Sequence, residues 1–125
     1  MEKSLELKFL DNRLTVCKVE KGTMLDYTDG LFFIGNTDEE LSVVCETEKT
    51  PADTIEREDG WTAFRVEGVL DFSLTGILSK LTTVLAEKEI GVFAVSTYNT
   101  DYVLIKEKDR QAAEKALADA GYTIV

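Results

Sequence analysis

AFRVEGVLDFSLTGILSKLTTVLAEKEIGVFAVSTYNTDYVLIKEKDRQAAEKALADAGYTIV, residues 63–125, carries the periodicities that specify the architecture. Its opening, 63–69, alternates: Phe64 and Val66 are apolar while Arg65 and Glu67 are charged, the pattern of a strand with one wet face. Between 75 and 89 the apolar positions Ile77, Leu78, Leu81, Val84 and Leu85 form one helical stripe, with Ser79, Lys80, Thr82, Thr83, Glu87 and Lys88 toward water. Gly91 is expected to end that helix, and a strand over 92–97 follows. Residues 98–101 are turn material, and YVLIK, 102–106, is the return strand of a hairpin. Asp109 suits the N-cap of a second helix, whose stripe is Ala112, Ala113, Ala116, Leu117 and Ala120. Gly121 stops it, and 122–125 makes a last strand. The order β-α-β-β-α-β predicts an α+β fold of the ferredoxin-like kind. Two right-handed crossovers joined by a hairpin give an antiparallel sheet with both helices on one face.

The preceding residues look like a reduced version of the same plan. Strands are expected over 5–10, 14–19, 31–35 and 41–46, with at most one short helical turn at 22–27. Residues 36–40 are too few for a helix. Residues 46–60 hold the only proline, Pro51, and a run of charge, and read as a linker.

Composition narrows the function. The chain has 125 residues, 44% of them hydrophobic, enough for a packed core in one domain or two very small ones. No apolar run reaches the roughly 18 residues of a membrane span, and no signal-peptide core is evident at the start. A soluble cytoplasmic protein is expected. A net charge of −10 is a poor match for a phosphate backbone or an anionic membrane, so neither nucleic acid nor membrane is an expected partner. The acidity is concentrated in 1–62, with 15 acids against 7 bases. The absence of histidine removes His-based triads and His zinc sites. Cys17 and Cys45 are too few for a four-cysteine zinc site and lie in expected strands, where a thiol is usually a small buried hydrophobe. No cofactor, metal site or catalytic residue is expected.

Two loops can carry chemistry. In the first, 68–76, glycines flank Asp71, Phe72, Ser73, Leu74 and Thr75 ahead of a helix N-terminus, whose free N–H groups suit a carboxylate or phosphate. The second is the hairpin tip Ser96, Thr97, Tyr98, Asn99, Thr100 and Asp101, which offers hydroxyls and one carboxylate. A capped helix start and an ordinary solvated turn are the alternatives. A likeness to the phosphate loop of acylphosphatases at 65–69 is superficial, because Asp71 stands where a phosphate would have to sit.

LDFSLTGIL, 70–78, and IGVFAVSTYNTDYVL, 90–104, closely resemble small bacterial tandem ACT-domain proteins. They are similar to the ACT domains of aspartate kinases and of the cytosolic arginine sensors of animal cells. The likeness covers about 61–125 and reaches more loosely to ELSVVC, 40–45. It implies two ferredoxin-like ACT-type units: a degenerate, strand-rich one over 1–60 that ends in the linker, and an ACT domain over 61–125. It further implies a regulatory protein and not an enzyme, binding a small molecule, an amino acid, at the domain interface. The ligand-facing positions it marks are Asp71, Phe72, Ser73, Leu74, Thr75 and Gly76, with Ser96, Thr97, Tyr98, Thr100 and Asp101 nearby. In that pose the ligand carboxylate lies near 73–76 and its ammonium near Asp71 or Asp101. The regulated activity is expected on another chain, and the open sheet edges point to a homodimer. The alternative is a dimerisation or protein-interaction module that holds no ligand.

Overall fold

The computed structural model describes residues 5–67 and 76–125. Its elements are β1 (Glu6–Phe9), β2 (Leu14–Val19), β3 (Phe32–Asn36), β4 (Leu41–Glu46), β5 (Glu56–Val66), α1 (Ile77–Glu87), β6 (Phe93–Ser96), β7 (Asp101–Lys106), α2 (Arg110–Asp119) and β8 (Thr123–Ile124). Contacts group them into an inserted unit, Asn12–Trp61, and a helical unit, Met1–Asp11 with Thr62–Val125. Strand β5 contributes residues to both.

In the helical unit the strand order is β8-β1-β5-β7-β6. A ferredoxin-like sheet would place β8 directly beside β5. Here β1 lies between them, antiparallel to β5 (Leu7 opposite Val66, Phe9 opposite Phe64) and parallel to β8. The expected all-antiparallel sheet is therefore corrected at this one step, and the first strand in sequence is paired with residues of the second half. Leu7, Phe9, Phe64, Val66, Val103 and Ile105 line the face covered by Leu81 and Leu85 of α1 and Ala113 and Leu117 of α2. Ile77, Leu78 and Val84 pack against the same cluster, as the helical stripe implies. Ala112 and Ala120 of the second stripe are exposed.

Both helices end in the same hydrogen-bond pattern. After α2, Gly121 N–H donates to the Ala118 carbonyl (3.0 Å) and Tyr122 N–H to that of Leu117 (3.1 Å), with Gly121 at φ 103°. After α1, Glu89 N–H donates to Ala86 (2.9 Å) and Ile90 N–H to Leu85 (3.0 Å). The left-handed residue there is Glu89, at φ 58°, and not Gly91. Asp109 stands at the N-cap of α2 without a side-chain capping bond; a short 3-10 turn, Glu107–Asp109, feeds the helix instead.

The inserted unit pairs its strands in the order β3-β4-β2-β5, antiparallel throughout. Counted within the unit this is second-third-first-fourth, the order of a ferredoxin-like sheet, but no α-helix is present. Residues 20–31 hold no helical turn, contrary to the expectation at 22–27. Their Leu25 and Tyr27 pack on Cys17, Val19, Leu41, Val43 and Cys45 in place of a helix. Tyr27 stacks on Phe32 with ring centroids 5.1 Å apart, and its hydroxyl donates to the Lys49 carbonyl at 2.9 Å.

The second missing helix has a covalent cause. Strand β4 lies 60 positions before β7, and the 3-10 turn Thr47–Lys49 lies 60 before Glu107–Asp109. At that turn's end Arg110 is helical (φ −57°, ψ −49°) and α2 follows, whereas Thr50 is extended (φ −63°, ψ 135°). Pro51 comes next, and the residue before a proline is driven out of the helical region. The expected linker is also shorter than its charge implied, because β5 begins at Glu56. Three of its charges have partners: Glu56 lies opposite Lys18 in the ladder, Arg57 pairs with Asp59 at 2.9 Å, and the Thr15 hydroxyl donates to Asp59 at 2.7 Å.

Candidate functional site

Of the positions marked by the sequence, Asp71, Phe72, Ser73, Leu74 and Thr75 lie outside the described residues. Gly76 opens α1 with φ 76° and ψ 10°, a left-handed conformation that favours glycine, and its carbonyl accepts the first helical bond from Lys80 N–H at 2.9 Å. Gly76 has no side chain with which to cap the helix, and the first turn of α1 carries no acid. The positive end of the helix dipole there is without a protein carboxylate in that turn.

The hairpin residues are brought together tightly. Ser96 Oγ donates to Asp101 Oδ1 at 2.6 Å across the β6–β7 ladder, where the two residues are directly opposite. Thr97 closes the turn: its N–H and its hydroxyl both donate to the Thr100 carbonyl at 2.8 Å, and Thr100 N–H donates back to Thr97 Oγ1 at 3.3 Å. Thr100 Oγ1 then donates to the Val66 carbonyl at 2.6 Å. Val66 is the last residue of β5 and lies two positions before residue 68 in the sequence, so this bond holds the hairpin tip beside the end of β5. Tyr98 extends into solvent, 88% exposed.

One neighbour escaped the sequence reading, which took Arg65 as an ordinary wet-face residue. Arg65 Nε donates to Glu67 at 2.7 Å and Nη1 to the Tyr102 hydroxyl at 3.3 Å, with the guanidinium 6.0 Å from the Tyr102 ring centroid. These bonds, Glu67's first, hold the guanidinium firmly protonated. A fixed cation therefore stands one residue from Val66 on β5. Only the strict alternation of 64–67 hinted at it.

The same turn occurs in the inserted unit. Thr37 N–H donates to the Glu40 carbonyl at 2.9 Å, and Glu40 N–H to Thr37 Oγ1 at 3.1 Å, 60 positions before Thr97 and Thr100. Much of the hydroxyl chemistry at 97–100 is thus turn architecture. Cys17 and Cys45 are both free and buried, and burial, with the neighbouring Cys45 sulfur, pushes the Cys17 thiol up. Among the described residues no group of three His, Cys, Asp or Glu is placed to hold a metal ion, and no helix is long and apolar enough to cross a membrane.

With this geometry in hand, the sequence matches the ACT domain family over residues 56–119, more than half of the chain. The chain belongs to the ACT-domain family. The crystal structure of protein Atu0741 from Agrobacterium tumefaciens matches 99% of this ACT-domain chain and 94% of its own, at 28% identity and a TM-score of 0.89. The regulatory subunit of aspartate kinase from Thermus thermophilus matches 92% of this chain and 96% of its own, at 11% identity and a TM-score of 0.62. Aspartate kinase of Clostridium acetobutylicum matches 91% of this chain with a third of its own length, 33%, at 15% identity and a TM-score of 0.64. In fold, this ACT-domain protein resembles the regulatory regions of aspartate kinases.

Proposed function

We propose that the chain is a regulatory protein of two ACT-type units that binds a small molecule, an amino acid, through 71–76 and the hairpin residues Ser96, Thr97, Tyr98, Thr100 and Asp101. The observation that carries this reading is the bond from Thr100 Oγ1 to the Val66 carbonyl, which ties the hairpin to the strand that leads into the first loop. The start of α1, with no acid in its first turn, suits the ligand carboxylate, and Asp101 suits its ammonium. The tandem reading is supported by the strand order of the inserted unit and by the 60-residue repeat of turn, strand and 3-10 segment. On this reading the protein performs no catalysis, works in the cytoplasm as a homodimer, and transmits occupancy to an activity on another chain.

A second reading is favoured by one observation: the Thr97–Thr100 turn is repeated at Thr37–Glu40, as a purely structural turn would be. The module then serves assembly alone. A thermal-shift panel of the common amino acids, each at millimolar concentration, separates the two. Ligand in about hundredfold excess over Kd stabilises by about 2.7 kcal/mol. A selective rise that Asp71→Ala and Asp101→Ala each reduce supports the sensor. A flat panel supports the assembly module.

A further inference from the structure

Strand β3 is an edge: among the described residues it pairs only with β4. Natural edges are usually blunted by lysine, proline or a bulge. FFIGN, 32–36, has no lysine or proline, and its register with β4 runs without a shift. The turn bond from Thr37 N–H to the Glu40 carbonyl fixes which groups face inward. By the alternation of an antiparallel ladder, Gly35 and Phe33 bond β4, while Phe32, Ile34 and Asn36 turn their N–H and C=O groups outward.

The side chains continue the pattern. Ile34 is 45% exposed at the end of the row Cys17, Val43, Ile34, whose first two members are buried. Gly35 needs neither a left-handed backbone nor clearance from its own chain, since an added Cβ would meet nothing closer than Ser42 Cβ at 4.0 Å. A glycine without an internal reason in an edge strand leaves room for another backbone or for an aromatic side chain laid across it.

Charge decides the occupant. Residues 26–40 contain Asp26, Asp29, Asp38, Glu39 and Glu40 and no lysine or arginine. Lys49 offsets Asp29 at 3.0 Å and Lys21 lies at Asn36 and Thr37, but Asp26 before the strand and Asp38, Glu39 and Glu40 after it keep both flanks net acidic. A second copy pairing antiparallel about Ile34 would bring the acidic flank 38–40 of each copy toward the acidic flank before β3 of the other, a repulsive arrangement. We infer that β3 is a docking edge for an extended segment of another protein, with an apolar centre and lysine or arginine at both ends, added as a further strand. This goes beyond the ligand site and does not depend on it.

The test is selection of random dodecapeptides displayed on phage against the full-length protein, followed by fluorescence anisotropy of the enriched peptides at low and high salt. The expected winners have β-branched or aromatic centres and basic ends, and weaken as salt rises. Ile34→Pro, which deletes an outward N–H and spares the β4 ladder, is expected to weaken them by about tenfold or more, a loss of about 1.4 kcal/mol. Ile34→Lys is expected to do the same by repulsion, and serves if the proline variant fails to fold. Winners without basic ends, winners indifferent to both variants, or no enrichment would overturn the inference. So would a homodimer that Ile34→Lys dissociates, since a second copy would then own the edge.

Discussion

Replacing Glu89 with glycine is expected to stabilise the protein. At φ 58° the Cβ of an L residue crowds the following carbonyl, which costs about 1–2 kcal/mol. Glycine relieves that strain but gives the unfolded chain more freedom, worth about 0.4–1 kcal/mol against it. The net gain is about 0.5–1 kcal/mol. The Glu89 side chain is exposed, so little packing is lost with it. Its carboxylate also lies at the negative end of α1, and removing it adds a few tenths of a kcal/mol. For a chain of this size the melting temperature should rise by about 2–5 °C. Glu89→Gln isolates the charge contribution and should give only the smaller part. The converse comes from the matching position after α2. Gly121→Ala puts a Cβ at φ 103° and should lower the melting temperature by about 3–6 °C. Urea titrations and thermal melts of the three variants decide it. A neutral or harmful Glu89→Gly, a full gain from Glu89→Gln, or a harmless Gly121→Ala would each refute the argument from backbone strain.

Other expectations follow from single contacts. Thr100→Val removes the 2.6 Å bond to the Val66 carbonyl and should cost about 1 kcal/mol in urea unfolding, with faster amide exchange at 97–101. Tyr27→Phe removes the bond to the Lys49 carbonyl while keeping the stack on Phe32. It should cost about 1 kcal/mol and speed the reaction of the buried thiols with a disulfide reagent. Burial raises the Cys17 thiol and the Tyr122 hydroxyl above their usual ranges. The unfolded chain therefore releases these protons first, so the stability they support is intact below about pH 8.5 and is lost as pH rises through their folded-state values. Urea midpoints measured from pH 7 to pH 11 should fall, with alanine at Cys17 flattening the early part of the decline.

The helical unit was legible because its signals are local. The stripe from Ile77 to Leu85, the Gly121 stop and the alternation at 64–67 each depend on residues a few positions apart, and each reappears in the packing. The insertion of β1 beside β8 was not legible: alternation shows that 6–9 is a strand but carries no information about a partner more than a hundred residues away. The run EREDG looked like linker because the groups that face Glu56 and Asp59, Lys18 and Thr15, are distant in sequence. Glu89 was passed over for Gly91 because composition favours glycine at a left-handed position, while the hydrogen bonds of Glu89 and Ile90 place the turn two residues earlier. At the candidate site, the hairpin's polarity was readable, but the engagement of its hydroxyls with one another and with Val66 was not. Arg65 was read only as a wet-face charge for the same reason, since its role rests on Tyr102, 37 positions later.

On the proposed function, one amino-acid site joins 71–76 to the hairpin at 96–101. The most direct measurement is a two-dimensional 15N–1H spectrum of the protein titrated with each amino acid in turn. One amino acid is expected to produce saturable shifts concentrated at Gly76, Ser96, Thr97, Tyr98, Thr100 and Asp101, together with 71–75. Saturable shifts centred elsewhere, or no saturable shift with any amino acid, would contradict it.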